Sequence, residues 1–310
     1  MMGTNKCSVG GCIREPQKAS GSAHSHLVIG RGPWGKNIAR SLFELGEKNV
    51  ETAGRGYEAS LSSRPTHVYI ATPLSTHAEV LANVIHEFDL REPWFPAIWI
   101  EKPPFVARAR MAQECFTVIR PNLFFDFTLC FNPGVQLLAT LPAKDPVVHV
   151  ELGHGREPRP DCPWPIDWAA HAFAAALMLN GNLDAELDVS AAQIALMWKH
   201  ALGMTLRHPI SRQIIAHISL HQNSALPPAR RVSVLSTQPA LSGTFDDIEN
   251  ELTIYGSALN HVLSNIKPPP HEQKTPLKRA LEAFHKGARN WELAWAVQGL
   301  LDQLRARLPA

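Results

Sequence analysis

The chain has no apolar run approaching the ~20 residues that a membrane-spanning helix needs. Its best candidate, residues 169–179, is short and broken by His171. An apolar signal core before a small-residue cleavage site is also missing, so the cytoplasm is the expected compartment. Net charge is only +2, too near balance to point to nucleic acid or an anionic membrane as partner. Five cysteines (Cys7, Cys12, Cys115, Cys130, Cys162) are an odd number at scattered spacings. That argues against a disulfide framework and fits a reducing compartment. Cys7 and Cys12 have no second pair nearby, and His217 with His221 or His149 with His154 lack a third ligand of the usual kind. No metal is expected from these pairs. There is no internal repeat, and the basic residues Lys278, Arg279, Arg305 and Arg307 read as solvated helix faces.

What is present suffices for two domains: 310 residues, 45% hydrophobic and 19% charged. Residues 1–24 are polar and small without period, a flexible leader. His26-Leu27-Val28-Ile29 is a short apolar run ending in glycine, as expected of a strand buried on both faces of a parallel sheet. A helix with Ile38, Leu42 and Leu45 inward follows. Further strands are expected at 49–53, 67–71, 97–100 and 123–129, with helices from Ser75 or Thr76 and over 107–118. This alternation predicts a doubly wound parallel sheet, abbreviated between Ala53 and His67, where about a dozen residues are too few for a regular crossover. From about Val147 the segments lengthen and alternate (147–152, 192–198, 213–220, 231–236, 251–255), the pattern of a large, open, mainly antiparallel sheet, with one helix over 166–179. Pro268-Pro269-Pro270 marks a linker before C-terminal helices. The expected division is a leader, a first α/β domain over 25–125 and a second over 126–310.

Three motifs follow one another. Gly30, Gly32 and Gly35 occupy a G-x-G-x-x-G run that leaves a strand and opens a helix. There the first glycine permits the turn, the second admits a pyrophosphate and the third allows close packing; a merely tight turn is the bland alternative. Pro33 and Trp34 lie within it. No acid stands at the end of the second strand to bind a ribose 2′-hydroxyl, whereas Arg55 follows it and could meet a 2′-phosphate, a tilt toward NADP over NAD. Lys102 follows the strand at 97–100, where open sheets place ligands, and could stabilise alkoxide charge, or be a surface lysine. Asp167 and His171 share one face of a helix that opens after Pro163-Trp164-Pro165. An imidazole tuned by an acid suits proton transfer near neutrality; a surface ion pair is the alternative. Trp164 belongs to the core or lines a sugar-sized pocket.

Read together, Val28 to Gly35, Ala71 to His77 (A-T-P-x-x-x-H) and Glu101-Lys102-Pro103 resemble the Gfo/Idh/MocA oxidoreductase family over residues 26–307. Phe131-Asn132-Pro133, with Cys130 where that family has arginine, and Asp167-x-x-x-His171 are similar to its later segments. The resemblance implies a Rossmann-type nucleotide-binding domain, an α/β domain used for homodimer or homotetramer contacts, and NAD(P)-dependent hydride transfer at a hydroxyl-bearing carbon of a sugar, cyclitol or sugar derivative. It implies His171 as proton acceptor, Lys102 on the reacting oxygen and Asp167 as orienting group, with Thr72, Pro73, His77 and Glu101 bordering the nicotinamide and its ribose. Alternatives are a non-catalytic ligand-binding protein on the same scaffold and a reductase of a C=N bond or non-sugar metabolite.

Overall fold

The computed structural model describes residues 24–88, 95–107, 118–153, 162–188, 201–222, 228–256, 263–266 and 275–308. The expected leader apart from His24, Cys7, Cys12, Cys115, most of the helix expected over 107–118, His154, the strand expected at 192–198 and the Pro268–Pro270 linker lie outside them. The chain forms two compact units, one of residues up to Asp126 joined by Leu277–Trp295, the other of Phe127–Pro276 with the chain from Ala296 on.

The first unit is built on strands β1 (His26–Ile29), β2 (Val50–Ala53), β3 (His67–Ile70), β4 (Ala97–Ile100) and β5 (Leu123–Phe125), all parallel, in the order β2-β1-β3-β4-β5. β1 and β3 are buried at every residue, as a sheet covered on both faces requires, whereas the edge strand β2 buries only Ala53. Helices α1 (Pro33–Glu44) and α3 (His77–Glu87) follow β1 and β3, and each turns its apolar stripe inward. Between β2 and β3 the crossover shrinks to a single helical turn, α2 (Glu58–Leu61). β5 ends at Phe125, short of the strand expected to reach Leu129, because Asp126 closes the ladder and the chain then turns into a 3-10 helix at Thr128–Phe131.

Helix α6 (Pro276–His285) belongs to this first unit although sequence order groups it with the second. Phe284 is the reason: fully buried, it meets Trp99 edge-on at 5.6 Å and Tyr69 at 5.7 Å, with Phe124 beside it. Burying such a ring contributes about 2–3 kcal/mol. Lys278 ion-pairs with Glu44 of α1 at 2.7 Å and is half-buried. Arg279 and Arg305 are half-buried too, and Arg305 pairs with Asp302 one turn back, which corrects the expectation of a solvated basic face. The division between units runs through α7 (Trp291–Arg305).

In the second unit α4 (Pro133–Ala139) precedes β6 (Val147–Gly153), α5 (Trp164–Asn180), β7 (Glu186–Asp188), β8 (Ala201–Arg207), β9 (Ile214–His221), β10 (Ala229–Thr237), β11 (Ala240–Asp246), β12 (Glu251–Gly256) and β13 (Leu263–Ile266). They form an eight-stranded sheet, β13-β12-β11-β10-β6-β9-β8-β7, antiparallel except for the β6–β9 pair. Inward residues alternate, as at Val148, Val150 and Leu152 or Leu202, Met204 and Leu206. The apolar α5 covers the sheet over β6 and β9 and stops at Gly181, whose left-handed backbone (φ 78°) caps it through its N–H to Leu177 O. Strands β7, β8, β11 and β13 were not foreseen from sequence. No helix among the described residues is long and apolar enough to cross a membrane.

Candidate functional site

Parallel pairing places the residues that follow each strand along one edge of the first sheet. Ile29, Ile70 and Ile100 lie in register. Beyond them, Gly30 N–H bonds Ala53 O at 2.8 Å, Ala71 N–H bonds Ile29 O, Glu101 N–H bonds Ile70 O, and Asp126 N–H bonds Ile100 O. The carboxyl edge therefore gathers Gly30, Gly32, Pro33, Trp34, Gly35, Arg55, Thr72, Pro73, His77, Glu101 and Lys102, all of one unit.

Two glycines there admit no side chain. Gly30 has φ +129°, and a Cβ on it would stand 2.2 Å from Ala71 O; one on Gly35 would stand 1.9 Å from Gly30 O. A Cβ on Gly32 would meet nothing within 4 Å, so its surface is open. Gly32 caps α1 without a side-chain bond, Pro33 opens the helix with no N–H of its own, and the first turn holds no acid. The Trp34 and Gly35 amides lie before the first intrahelical bond, Lys36 N–H to Gly32 O. Such a terminus favours an anion. A phosphate cradle fits: side chains are excluded where backbone must pack, space is kept at the middle glycine, and the Trp34 and Gly35 amides precede the first intrahelical bond.

The surrounding side chains fix this edge. Trp34 Nε1 donates to Asp126 Oδ2 at 2.9 Å, bracing the glycine turn against the end of β5. His77 is fully buried, with Nε2 2.9 Å from Thr72 O and Nδ1 3.1 Å from Pro104 O. It ties the loop after β3 to the loop after β4, which is a positioning role for those two loops. Thr76 Oγ1 reaches Thr72 Oγ1 at 3.0 Å. Glu101 is buried and Lys102 half-buried. Arg31, which sequence reasoning passed over, donates to Thr52 O at 3.3 Å and lies against Gly54, so a second arginine flanks the β2 end beside the exposed Arg55. Asp126, also missed, follows a Leu-Phe-Phe run and carries the signal of an isolated acid at a strand end.

Asp167 and His171 belong to the second unit, in the first two turns of α5, both half-buried on one face of a helix whose other positions are almost all closed to solvent. Trp164 is buried at the start of α5. Cys130 is sealed, and burial pushes its thiol up to about 12, which leaves it unreactive near neutrality. Asn132, in the Phe-Asn-Pro segment, caps α4 by accepting Gly134 N–H at 2.9 Å and donates to Asp247 Oδ1 at 2.6 Å. His149 and His217 are paired in register across β6 and β9, and His217 Nδ1 lies 3.2 Å from Thr205 Oγ1. A groove of about 570 Å³ runs along α3, lined by Leu74, Ala78, Glu79, Ala82 and Val106, and none of the expected site residues faces it.

No family model and no curated protein matches the chain. Solved structures do match, over nearly its whole length. UDP-N-acetylglucosamine 3-dehydrogenase GnnA from Acidithiobacillus ferrooxidans superimposes with a TM-score of 0.71 at 18% identity, over 92% of this chain and 97% of that one. The dehydrogenase MviM from Clostridium difficile gives 0.68 at 14% identity, over 92% and 99%. The chain has the fold of the Gfo/Idh/MocA-type oxidoreductases. A third neighbour, the 3-ketoreductase KijD10 from Actinomadura kijaniata, solved in complex with NADP and TDP-benzene, gives 0.62 at 15% identity, over 93% and 98%.

Proposed function

We propose that the protein is an NAD(P)-dependent oxidoreductase acting at a hydroxyl-bearing carbon of a sugar, cyclitol or sugar derivative. The observation that carries this reading is the glycine cradle: backbone packed to within 2.2 Å of a virtual Cβ at Gly30 and 1.9 Å at Gly35, with Gly32 open. It is supported by neighbours that are a sugar-nucleotide dehydrogenase and a ketoreductase solved with NADP. Gly30, Gly32, Trp34, Gly35 and the amides of α1 would hold the pyrophosphate, and Thr72, Pro73, His77 and Glu101 would border or position the nicotinamide side.

When bound, the dinucleotide accepts or supplies the hydride. His171 takes the hydroxyl proton or returns it, Lys102 donates a hydrogen bond to the reacting oxygen, and Asp167 orients substrate or imidazole. The lean to NADP rests on Arg31 and Arg55 at the β1 and β2 ends and on the lack of an acid at the end of β2. A soluble cytoplasmic homodimer or homotetramer, joined through the open sheet, completes the reading.

Fluorescence titration with NADPH and NADH tests it first: binding is expected, NADPH the tighter, and failure of both to bind overturns the enzyme reading in favour of a ligand-binding protein on this scaffold. Lys102→Ala and His171→Ala should each lower kcat/KM about 10²–10⁴-fold while cofactor affinity stays within a few-fold. Full activity in both variants would overturn the residue assignment.

A further inference from the structure

The opposite, amino-terminal edge of the first sheet carries a cluster that the dinucleotide reading does not use. β1 and β3 both open with histidine, His26 and His67, paired in register. His285 at the end of α6, His24, Tyr69 and Glu47 close around them: the rings of His26, His67 and His285 have centroids 5.0–5.1 Å apart. Tyr69 Oη sits between two of these rings, 3.0 Å from His26 Nδ1 and 2.7 Å from His285 Nε2. The remaining nitrogens of the same rings face one carboxylate, His26 Nε2 at 3.0 Å from Glu47 Oε2 and His285 Nδ1 at 3.5 Å from Glu47 Oε1.

Counting protons shows that this arrangement lacks a positive charge. Tyr69 has one hydroxyl hydrogen and can give it to one ring only. That ring, neutral, then turns its N–H to Glu47. The other must donate to Tyr69 Oη, which leaves its second nitrogen a bare lone pair facing a carboxylate oxygen. Swapping the two tautomers only moves the conflict. The 3.0 Å approach of His26 Nε2 to Glu47 also falls outside hydrogen-bond geometry, and that nitrogen is buried without a hydrogen-bond partner. The three side chains bring one nitrogen or oxygen each to within 4.8 Å of one another.

We propose that His26 Nε2, His285 Nδ1 and the Glu47 carboxylate form a site for a divalent first-row cation, Zn²⁺ by donor type, which pins the returning helix α6 to the amino edge of the sheet. The three ligand atoms lie within 4.8 Å of one another. The contacts of 3.0 Å to Oε2 and 3.5 Å to Oε1 are close to the roughly 3.3 Å between ligand atoms around a tetrahedral zinc with bonds of about 2.0–2.1 Å. Two imidazoles with one carboxylate leave a fourth position for water. With an ion bound, His26 Nδ1–H and His285 Nε2–H would both donate to Tyr69 Oη. Tyr69, accepting from the outer nitrogen of each ring and giving its own hydrogen to neither, then holds the tautomers that expose a lone pair to the ion, as groups behind metal-binding histidines do. The cation removes the lone-pair conflict for both rings at once. It would join β1, the chain after α1 and a helix more than two hundred residues downstream, all within one unit; the site stands independently of the dinucleotide reading.

The test uses the full chain, stripped with a chelator and titrated with Co²⁺ and then Zn²⁺. Expected are one equivalent of Co²⁺ with visible d–d bands and no thiolate charge-transfer absorption, displacement by Zn²⁺, and a higher Tm on Zn²⁺ addition. Glu47→Gln, nearly isosteric, should weaken binding at least ~100-fold while the metal-free variant unfolds like the metal-free parent. Tyr69→Phe keeps every ligand and should weaken it about 10–100-fold. No uptake by the parent, uptake with thiolate absorption, or uptake unchanged in Glu47→Gln would each overturn the proposal.

Discussion

The two edges of the first sheet are made in contrary ways. At the carboxyl edge side chains are removed, Gly30 and Gly35, so that backbone closes on backbone. At the amino edge, about 13 Å away along strands of four residues, side chains are added, with four histidines, a tyrosine and a glutamate in contact. The first edge is closed at Gly30 and Gly35, where no side chain fits, and open at Gly32. The second is held by hydrogen bonds and burial, so protons and ions can alter it.

The sharpest way to break the contrast is to put a methyl group at the closed edge. Gly35→Ala should cost on the order of 3–5 kcal/mol or abolish folding, since the clash is with the Gly30 carbonyl and not with a flexible side chain; chemical denaturation measures it, and a loss below ~1 kcal/mol would show that the turn is looser than drawn.

Acid should act at the other edge. Burial, reinforced by His285, His26, His24 and Arg289, holds His67 down at about 2, and burial with His26 holds His285 at about 4 against the opposing pull of Glu47. Their folded values lie below the ordinary 6.5, so the unfolded chain binds protons that the folded chain excludes. Stability is therefore present above about pH 6.5 and lost as pH falls below it, by up to about 3 kcal/mol for each of the two rings at pH 4. Urea unfolding of chelator-treated protein across that range reads this loss. Stability independent of pH between 7 and 4 would contradict it, and His67→Phe should flatten the slope.

Smaller effects sharpen the comparison. Trp34→Phe keeps the ring and removes the bond to the buried Asp126 carboxylate, which should lower stability by about 1–3 kcal/mol and weaken nucleotide binding as the glycine turn loses its brace. Gly32→Ala, whose Cβ meets nothing, should change stability by less than ~0.5 kcal/mol yet reduce NADPH affinity at least ~10-fold, because the methyl group would occupy the side offered to the pyrophosphate. An affinity unchanged in Gly32→Ala would remove the phosphate cradle from that position.

How far sequence alone could go varies element by element. β1, β3 and β4 were legible because strands buried on both faces are unbroken apolar runs, and α5 because its length and proline opening leave no strand reading. β11 was not. Its inward positions read Leu241, Gly243, Phe245, and the space over Gly243 is filled by Leu138 and Leu141 from elsewhere in the chain, so the alternation is interrupted exactly where another element supplies the apolar atoms. Among the candidate site residues, the glycines and Lys102 were proposed from local context, whereas Arg31 and Asp126 become candidates only when Gly54 and Trp34 are brought beside them.

By itself the sequence determined what depends on neighbours along the chain: strand and helix periods, glycines where a turn tolerates nothing larger, and a β2–β3 connection too short for more than one helical turn. Tertiary structure decided what depends on residues far apart. Only the pairing of β1 with β3 and the return of α6 bring His26, Glu47, Tyr69 and His285 together, because local periodicity encodes which face a residue takes but not which distant ring will share a proton with it.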